Sequence, residues 1–196
     1  MVDDPYTYDI TDFSREFTWS IISWNLAENH ARWLLSGILG GHEAVLALVA
    51  DLGSRTLNQA LESAARGLKD KEIRKHVEHF CKGFARLGEH RNLYVHGLMS
   101  LDAGPANAKN EKPLHGRIDM LSGKGRLRSV AMDLPTDEVT TFKKHCFALL
   151  AYGKAISNEL GLGDATFEEM LGMPPPSLEM PQWPDSPKKR LHYIQD

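Results

Sequence analysis

A chain of 196 residues with a formal net charge of -3 fits one domain with a tail, and its 42% hydrophobic content is enough for an ordinary packed core. That near-balanced charge does not mark the whole molecule as a polyanion binder, and no apolar run approaches the roughly 20 residues that a membrane-spanning helix needs. The start, Met1-Val2-Asp3-Asp4, is acidic and lacks the basic and apolar regions of a signal peptide, so the expected location is cytoplasmic.

The first helix is expected just past Thr11 and Asp12, either of which can cap a helix start. Phe17, Ile21, Trp24, Glu28, Ala31, Leu35 and Ile38 recur in steps of four and three, which marks one helix face, and Gly40-Gly41 ends it. A second helix is expected over roughly 42–67, with Val45, Leu48, Val49, Leu52, Leu57, Leu61 and Ala64 as its apolar positions. The third, roughly 70–96, has the cleanest stripe: Ile73, Val77, Phe80, Phe84, Leu87, Arg91 and Tyr94, with Gly97 as its stop. Cys81 and, further on, Cys146 fall inside helical patterns and are expected as reduced packing residues.

Residues 98–134 change character. Asp102 to Pro113 reads as a loop. Residues 117–121 and 126–134, on either side of Ser122-Gly123-Lys124-Gly125, read as a β-hairpin around a glycine turn. A fourth helix starts at Thr136-Asp137-Glu138, with Val139, Phe142, Cys146, Leu149, Gly153, Ile156 and Leu160 on one face. Gly153 on that face permits close helix–helix approach. Asp164 is a cap for a short helix to Leu171, and from Gly172 onward six prolines preclude continuous helix. The fold expectation is therefore all-α: an antiparallel four-helix bundle over 1–171, with a small β-hairpin insertion between helices 3 and 4 (about 98–134), followed by a proline-rich C-terminal tail, 172–196.

The segment richest in chemistry closes the third helix: Glu89-His90-Arg91-Asn92-Leu93-Tyr94-Val95-His96-Gly97. Arg91 offers a planar fork of donors matched to phosphate oxygens. His96 belongs to the residue type that serves as acid or base near neutral pH. Asn92 and His96 are four apart and share a helix face, so Asn92 is placed to orient the imidazole. Arg91 and His96 are five apart, roughly 140° around a straight helix. They converge on one phosphate if the helix frays before His96, or if Arg and His come from different subunits. The plain alternative is that both make structural hydrogen bonds only.

Arg91, Asn92 and His96, late in a long helix of a helical bundle, resemble the RNxxxH signature of HEPN domains. The resemblance is tight over the motif and loose over roughly 12–161; the hairpin and tail lie outside it. It implies a homodimer with two motifs facing one cleft, and metal-independent endoribonuclease activity with Arg91, Asn92 and His96 as the catalytic set and no cofactor. It also implies a setting in bacterial defence or toxin–antitoxin pairs, with RNA and an antitoxin or other protein as candidate partners. Many relatives in that superfamily serve as non-catalytic interaction or RNA-binding modules, so the match leaves both readings open.

Glu28 and Arg91 each interrupt an apolar stripe, and charges are rarely buried without a partner. Either they pair with each other in support of the site, or each lines a cleft, or the helices bend so that both reach water. His76 and His79 sit at a spacing that suits a metal, but no third ligand is evident, so no metal site is expected. Between Pro105 and Met132, six basic residues stand against two acidic ones, a local +4 that leaves -7 for the rest. Arg117, Lys124, Arg126 and Arg128 there are candidate RNA-backbone contacts, or the basic tips of a solvated hairpin.

Overall fold

The computed structural model describes residues 10–96, 98–103, 114–123, 127–162, 176–187 and 192–193. The chain is predominantly helical. Helix α1 spans Ile10–Ile38, α2 Glu43–Ala50, α3 Ser54–Ala65, α4 Lys71–His96 and α5 Thr136–Glu159. Strands β1 (Leu98–Ala103), β2 (Leu114–Gly123), β3 (Leu127–Pro135) and β4 (His192–Tyr193) form one antiparallel sheet in the order β1-β2-β3-β4.

Helix α1 runs 29 residues because nothing in it breaks a helix before Gly37. It closes at Gly40 (φ 104°) and Gly41 (φ 69°), where the Gly41 amide donates to the Ser36 carbonyl at 2.8 Å. Both glycines occupy the left-handed region that side chains with a Cβ resist. Asp70 caps α4, its Oδ1 accepting from the Glu72 and Ile73 amides at 2.8 and 3.2 Å. Pro135 sets the start of α5, and Asp137 and Glu138 sit in its first turn, where the helix dipole favours them.

The single second helix expected over 42–67 is two helices. Asp51, Leu52 and Gly53 separate them, with Gly53 extended (φ -66°, ψ 154°) as the N-cap of α3. The apolar spacing runs on through Leu52 and Leu57, so periodicity hides the break. Its backbone is held from α1: Arg32 Nη2 donates to the Leu52 carbonyl at 3.1 Å, and Ser54 Oγ donates to Glu28 Oε1 at 2.5 Å.

The sheet exceeds the expected hairpin. Strands β2 and β3 cover the two segments assigned to it, but β1 and β4 also join, and Asp102, expected in a loop, lies in β1. Of the glycine turn expected at 122–125, Ser122 and Gly123 lie in β2; the rest of that turn, most of the expected loop and the short helix at 164–171 lie outside the described residues.

The chain divides into two compact units, and α1, α4 and α5 contribute to both. One holds residues 22–88 and 144–185. Its core stacks Trp24 on Phe84 (4.9 Å between centroids), with Phe80, Leu34, Leu35, Leu57, Leu61 and Leu149 also buried. Gly153 does there what its place on the α5 stripe suggests: a Cβ would stand 2.7 Å from both His30 Cδ2 and Phe80 Cε2. Cys81 and Cys146 are buried in this unit as free thiols. Burial, with Glu62 and Glu78 nearby, pushes the Cys81 thiol up to about 12, and burial raises Cys146 too, which suits packing rather than reactivity. The other unit holds 1–21, 89–143 and 186–196, including the sheet and the motif-bearing end of α4. No described helix is long and apolar enough to cross a membrane.

Candidate functional site

The last turns of α4 are anchored by aromatic packing. Tyr94 is buried; it meets Phe142 of α5 edge-on at 5.0 Å and Phe17 of α1 at 6.3 Å. His90 stacks on Phe142 at 5.9 Å. One turn of helix therefore has two rings fixing its rotation. Glu89 accepts from Ser186 Oγ at 2.6 Å, which ties the tail to the same turn. Beside it, Glu16 of α1 accepts hydrogen bonds from Lys143 and Thr140 of α5. The Lys143 hydrogen bond is the main reason that the Glu16 carboxyl sits below its ordinary range, against an opposing effect of burial.

Within the motif, Arg91 is half-buried while Asn92 and His96 are exposed. Arg91 Nη1 donates to Asn92 Oδ1 at 3.3 Å, and Arg91 Nε is buried with no hydrogen-bond partner among the described residues. This differs from the expectation that Asn92 orients His96, because the Asn92 carbonyl oxygen is directed to the guanidinium instead. Helix α4 continues unbroken through His96. The fraying that would swing His96 toward Arg91 on the same helix is therefore not present.

Glu28 and Arg91 each have a local partner among the described residues. The Glu28 carboxylate, 8% exposed, is held by Ser54 and by Arg32, whose Nη2 lies 3.4 Å from Oε1. Each stripe-interrupting charge has found a local partner, one across to α3 and one along α4. Glu28 thus ties α1 to the start of α3 at the α2–α3 break. Arg117 lies in β2, with Ser100 and Asp133 as its register partners, and Arg128 lies in β3 opposite Ser122. Lys124 and Arg126 fall outside the described residues.

The two metal-spaced histidines are engaged elsewhere. His76 Nδ1 lies 2.7 Å from the Tyr152 hydroxyl, and His79 Nε2 lies 2.8 Å from the Pro181 carbonyl. Among the described residues no group of three His, Cys, Asp or Glu is placed to hold a metal. His79 also stacks on Trp183 at 5.4 Å, and Trp183 Nε1 donates to the His79 carbonyl at 3.1 Å. Gly83, one turn on, leaves the notch that the indole fills, since a Cβ there would overlap the ring. The sequence reading missed this latch. A glycine in the middle of a long helix, where it costs about 1 kcal/mol against alanine, was the signal that could have found it.

No family model, curated protein or solved structure matches the chain.

Proposed function

We propose that the protein is a metal-independent HEPN-type endoribonuclease that acts as a homodimer in the cytoplasm, in a defence or toxin–antitoxin setting. In this reading α1, the α2–α3 pair, α4 and α5 correspond to the four helices of the antiparallel bundle. The observation that carries the reading is the end of α4: a half-buried guanidinium with an unpartnered Nε, next to exposed Asn92 and His96.

His96 takes the proton of an RNA 2′-hydroxyl, whose oxygen attacks the adjacent phosphorus. Arg91 binds the phosphate oxygens as negative charge builds on them. The P–O5′ bond breaks, and the 5′-oxygen takes a proton from solvent water or from the now protonated His96, so the products are a 2′,3′-cyclic phosphate and a 5′-hydroxyl. With α4 straight to His96, Arg91 and His96 point apart by roughly 140°. Convergence on one phosphate then calls for Arg91 from one subunit and His96 from the other. Asn92 positions Arg91. The basic segment with Arg117, Lys124, Arg126 and Arg128 holds the RNA backbone, and no cofactor takes part.

A second reading is a non-catalytic interaction or RNA-binding module. The Arg91–Asn92 hydrogen bond favours it, because it leaves His96 without the neighbour expected to select its tautomer.

An RNA cleavage assay in EDTA separates the two. Wild type should cut RNA and leave cyclic phosphate ends, DNA should stay intact, and His96→Ala and Arg91→Ala should each lose about a hundredfold to ten-thousandfold in rate. Cleavage of DNA, or strict need for added divalent metal, rejects the mechanism. Intact RNA across diverse substrates selects the module.

A further inference from the structure

Trp183 sits on the helices as a ligand sits in a site. Residues 176–184 carry neither helix nor strand, and among the described residues they make no backbone–backbone hydrogen bond to the bundle. Pro176, Pro181 and Pro184 have no amide proton to give one. What holds the segment is a small set of contacts around one indole. The ring fills the notch at Gly83, where a Cβ would overlap its Cδ2, Cε2 and Cζ2. It stacks on His79 at 5.4 Å, meets Tyr152 edge-on at 6.3 Å, and gives its N–H to the His79 carbonyl at 3.1 Å. His79 Nε2 lies 2.8 Å from the Pro181 carbonyl, which can only accept, so that nitrogen carries a proton. All of these contacts fall within the unit formed by 22–88 and 144–185.

The receiving side is built without the occupant. Tyr152 of α5 is tied to α4 through its hydroxyl, 2.7 Å from His76 Nδ1, and its ring lies 5.8 Å from the rings of both His76 and His79. The His79 carbonyl has a second lone pair beyond the one that its helix uses. Fixed aromatic rings along a groove are the kind of surface on which proline-rich segments dock. Proline holds such a segment extended before it binds, so little ordering entropy is left to lose. The contacts also state what the groove selects. The notch and the stacked imidazole take a flat ring. The His79 carbonyl asks for a donor on that ring, and the His79 imidazole asks for a backbone carbonyl two residues before it. Tryptophan meets the first two demands at once, whereas phenylalanine has no donor to offer.

We propose that the α4–α5 groove at Gly83 is a recognition site for a proline-flanked tryptophan. The chain's own Pro181-Gln182-Trp183-Pro184 holds it in cis, and a partner protein's segment of the same chemistry takes it by displacing that occupant. Displacement costs the fold little. The segment belongs to no helix or sheet, so its release opens one set of contacts and leaves α4 and α5 hydrogen-bonded as they are. The tail competes as a tethered ligand, at an effective concentration on the order of 1 mM. A peptide that binds the open groove at about 10 µM therefore meets wild type about a hundredfold more weakly, and a partner gains the site through a second contact elsewhere. This protein-binding role goes beyond the nuclease reading and holds whether or not the motif cleaves.

Full-length Trp183→Ala empties the groove and keeps its walls. A fluorescein-labelled peptide with the sequence of residues 177–187 should bind this variant saturably at micromolar concentration, read by anisotropy. It should bind wild type about a hundredfold more weakly. The same peptide with alanine in place of its tryptophan should not bind. Adding Gly83→Ala to Trp183→Ala fills the notch and should abolish binding of the unaltered peptide. In 15N-labelled wild type, unlabelled peptide should move the Trp183 indole N–H resonance toward its position in the free peptide, a readout that needs no variant to fold. No saturable binding at about 1 mM peptide, by a Trp183→Ala variant with wild-type circular dichroism, overturns the proposal. A wild-type indole resonance that stays in place at about 5 mM peptide overturns it equally. Binding that survives Gly83→Ala overturns it too, because the peptide then sits elsewhere. None of these outcomes depends on RNA cleavage, so failure of the nuclease reading and failure of the peptide site are separately visible.

Discussion

Glu16 shows how one residue can link two helices and a pH range. Its carboxylate accepts from Lys143 and Thr140, and the Lys143 hydrogen bond lowers its pKa from the ordinary 4.5. A carboxyl with a depressed folded pKa contributes stability that is fully present above its unfolded value. That contribution is lost as pH falls through the folded value, where protonation of the folded carboxyl ends the lysine interaction. Glu16→Gln should therefore lower the melting temperature at pH 7. The gap to wild type should narrow as pH falls below 4.5 and close once both states are protonated. Thermal melts from pH 7 to pH 2.5 would check this, and a gap that is constant with pH would show that Glu16 acts through packing alone. Arg91 is the contrasting case. It spends one donor on Asn92 and keeps Nε buried without a described partner, an arrangement costly for stability and understandable if the guanidinium has another acceptor to receive.

At the scale of elements, Gly83 and Trp183 carry the clearest lesson. Residues 176–185 carry neither helix nor strand, and Trp183 enters a notch on α4 that exists because residue 83 has no side chain. The indole is then fixed by the His79 ring and carbonyl. Gly83→Ala should expel the indole even though alanine favours helix by about 1 kcal/mol. Trp183→Ala should produce the same release from the other side. Hydrogen exchange should rise across 176–185 in both variants, and protection equal to wild type would mean that the tail is held by other contacts. The four long patterns were legible because 3.6-residue periodicity survives in any helix with one buried face: α1, α4 and α5 begin and end within a few residues of their capping and glycine signals. The α2–α3 break was not, because Leu52 and Leu57 keep the rhythm while Gly53 and Arg32 interrupt the hydrogen bonding. Strand β4 escaped for a different reason: a pairing partner about sixty residues away leaves no local pattern. Of the candidate site, the motif's place at the end of α4 could be read from spacing. The partner choices of Asn92 and Glu28 could not, since spacing along a helix says which groups are near and not which hydrogen bond wins.

At the scale of the whole molecule, charge is the property that distinguishes one region from the rest. The chain is -3 overall, yet 105–132 is +4, so the remainder repels a polyanion while this segment attracts it. If the protein binds RNA, its affinity should depend on this segment and on little else. Each neutralised phosphate contact removes about 0.7 from the slope of log K against log salt for a single strand. Arg126→Gln with Arg128→Gln should then flatten the slope by about 1.4 and weaken binding at all sequences alike. The measurement is best made in a His96→Ala background, where cleavage does not deplete the ligand. Loss of affinity with an unchanged slope would mean that the two arginines support the sheet rather than touch phosphate. In that case the acidic bulk of the molecule would leave RNA with no continuous basic track, and the interaction-module reading would gain the weight that the nuclease reading lost.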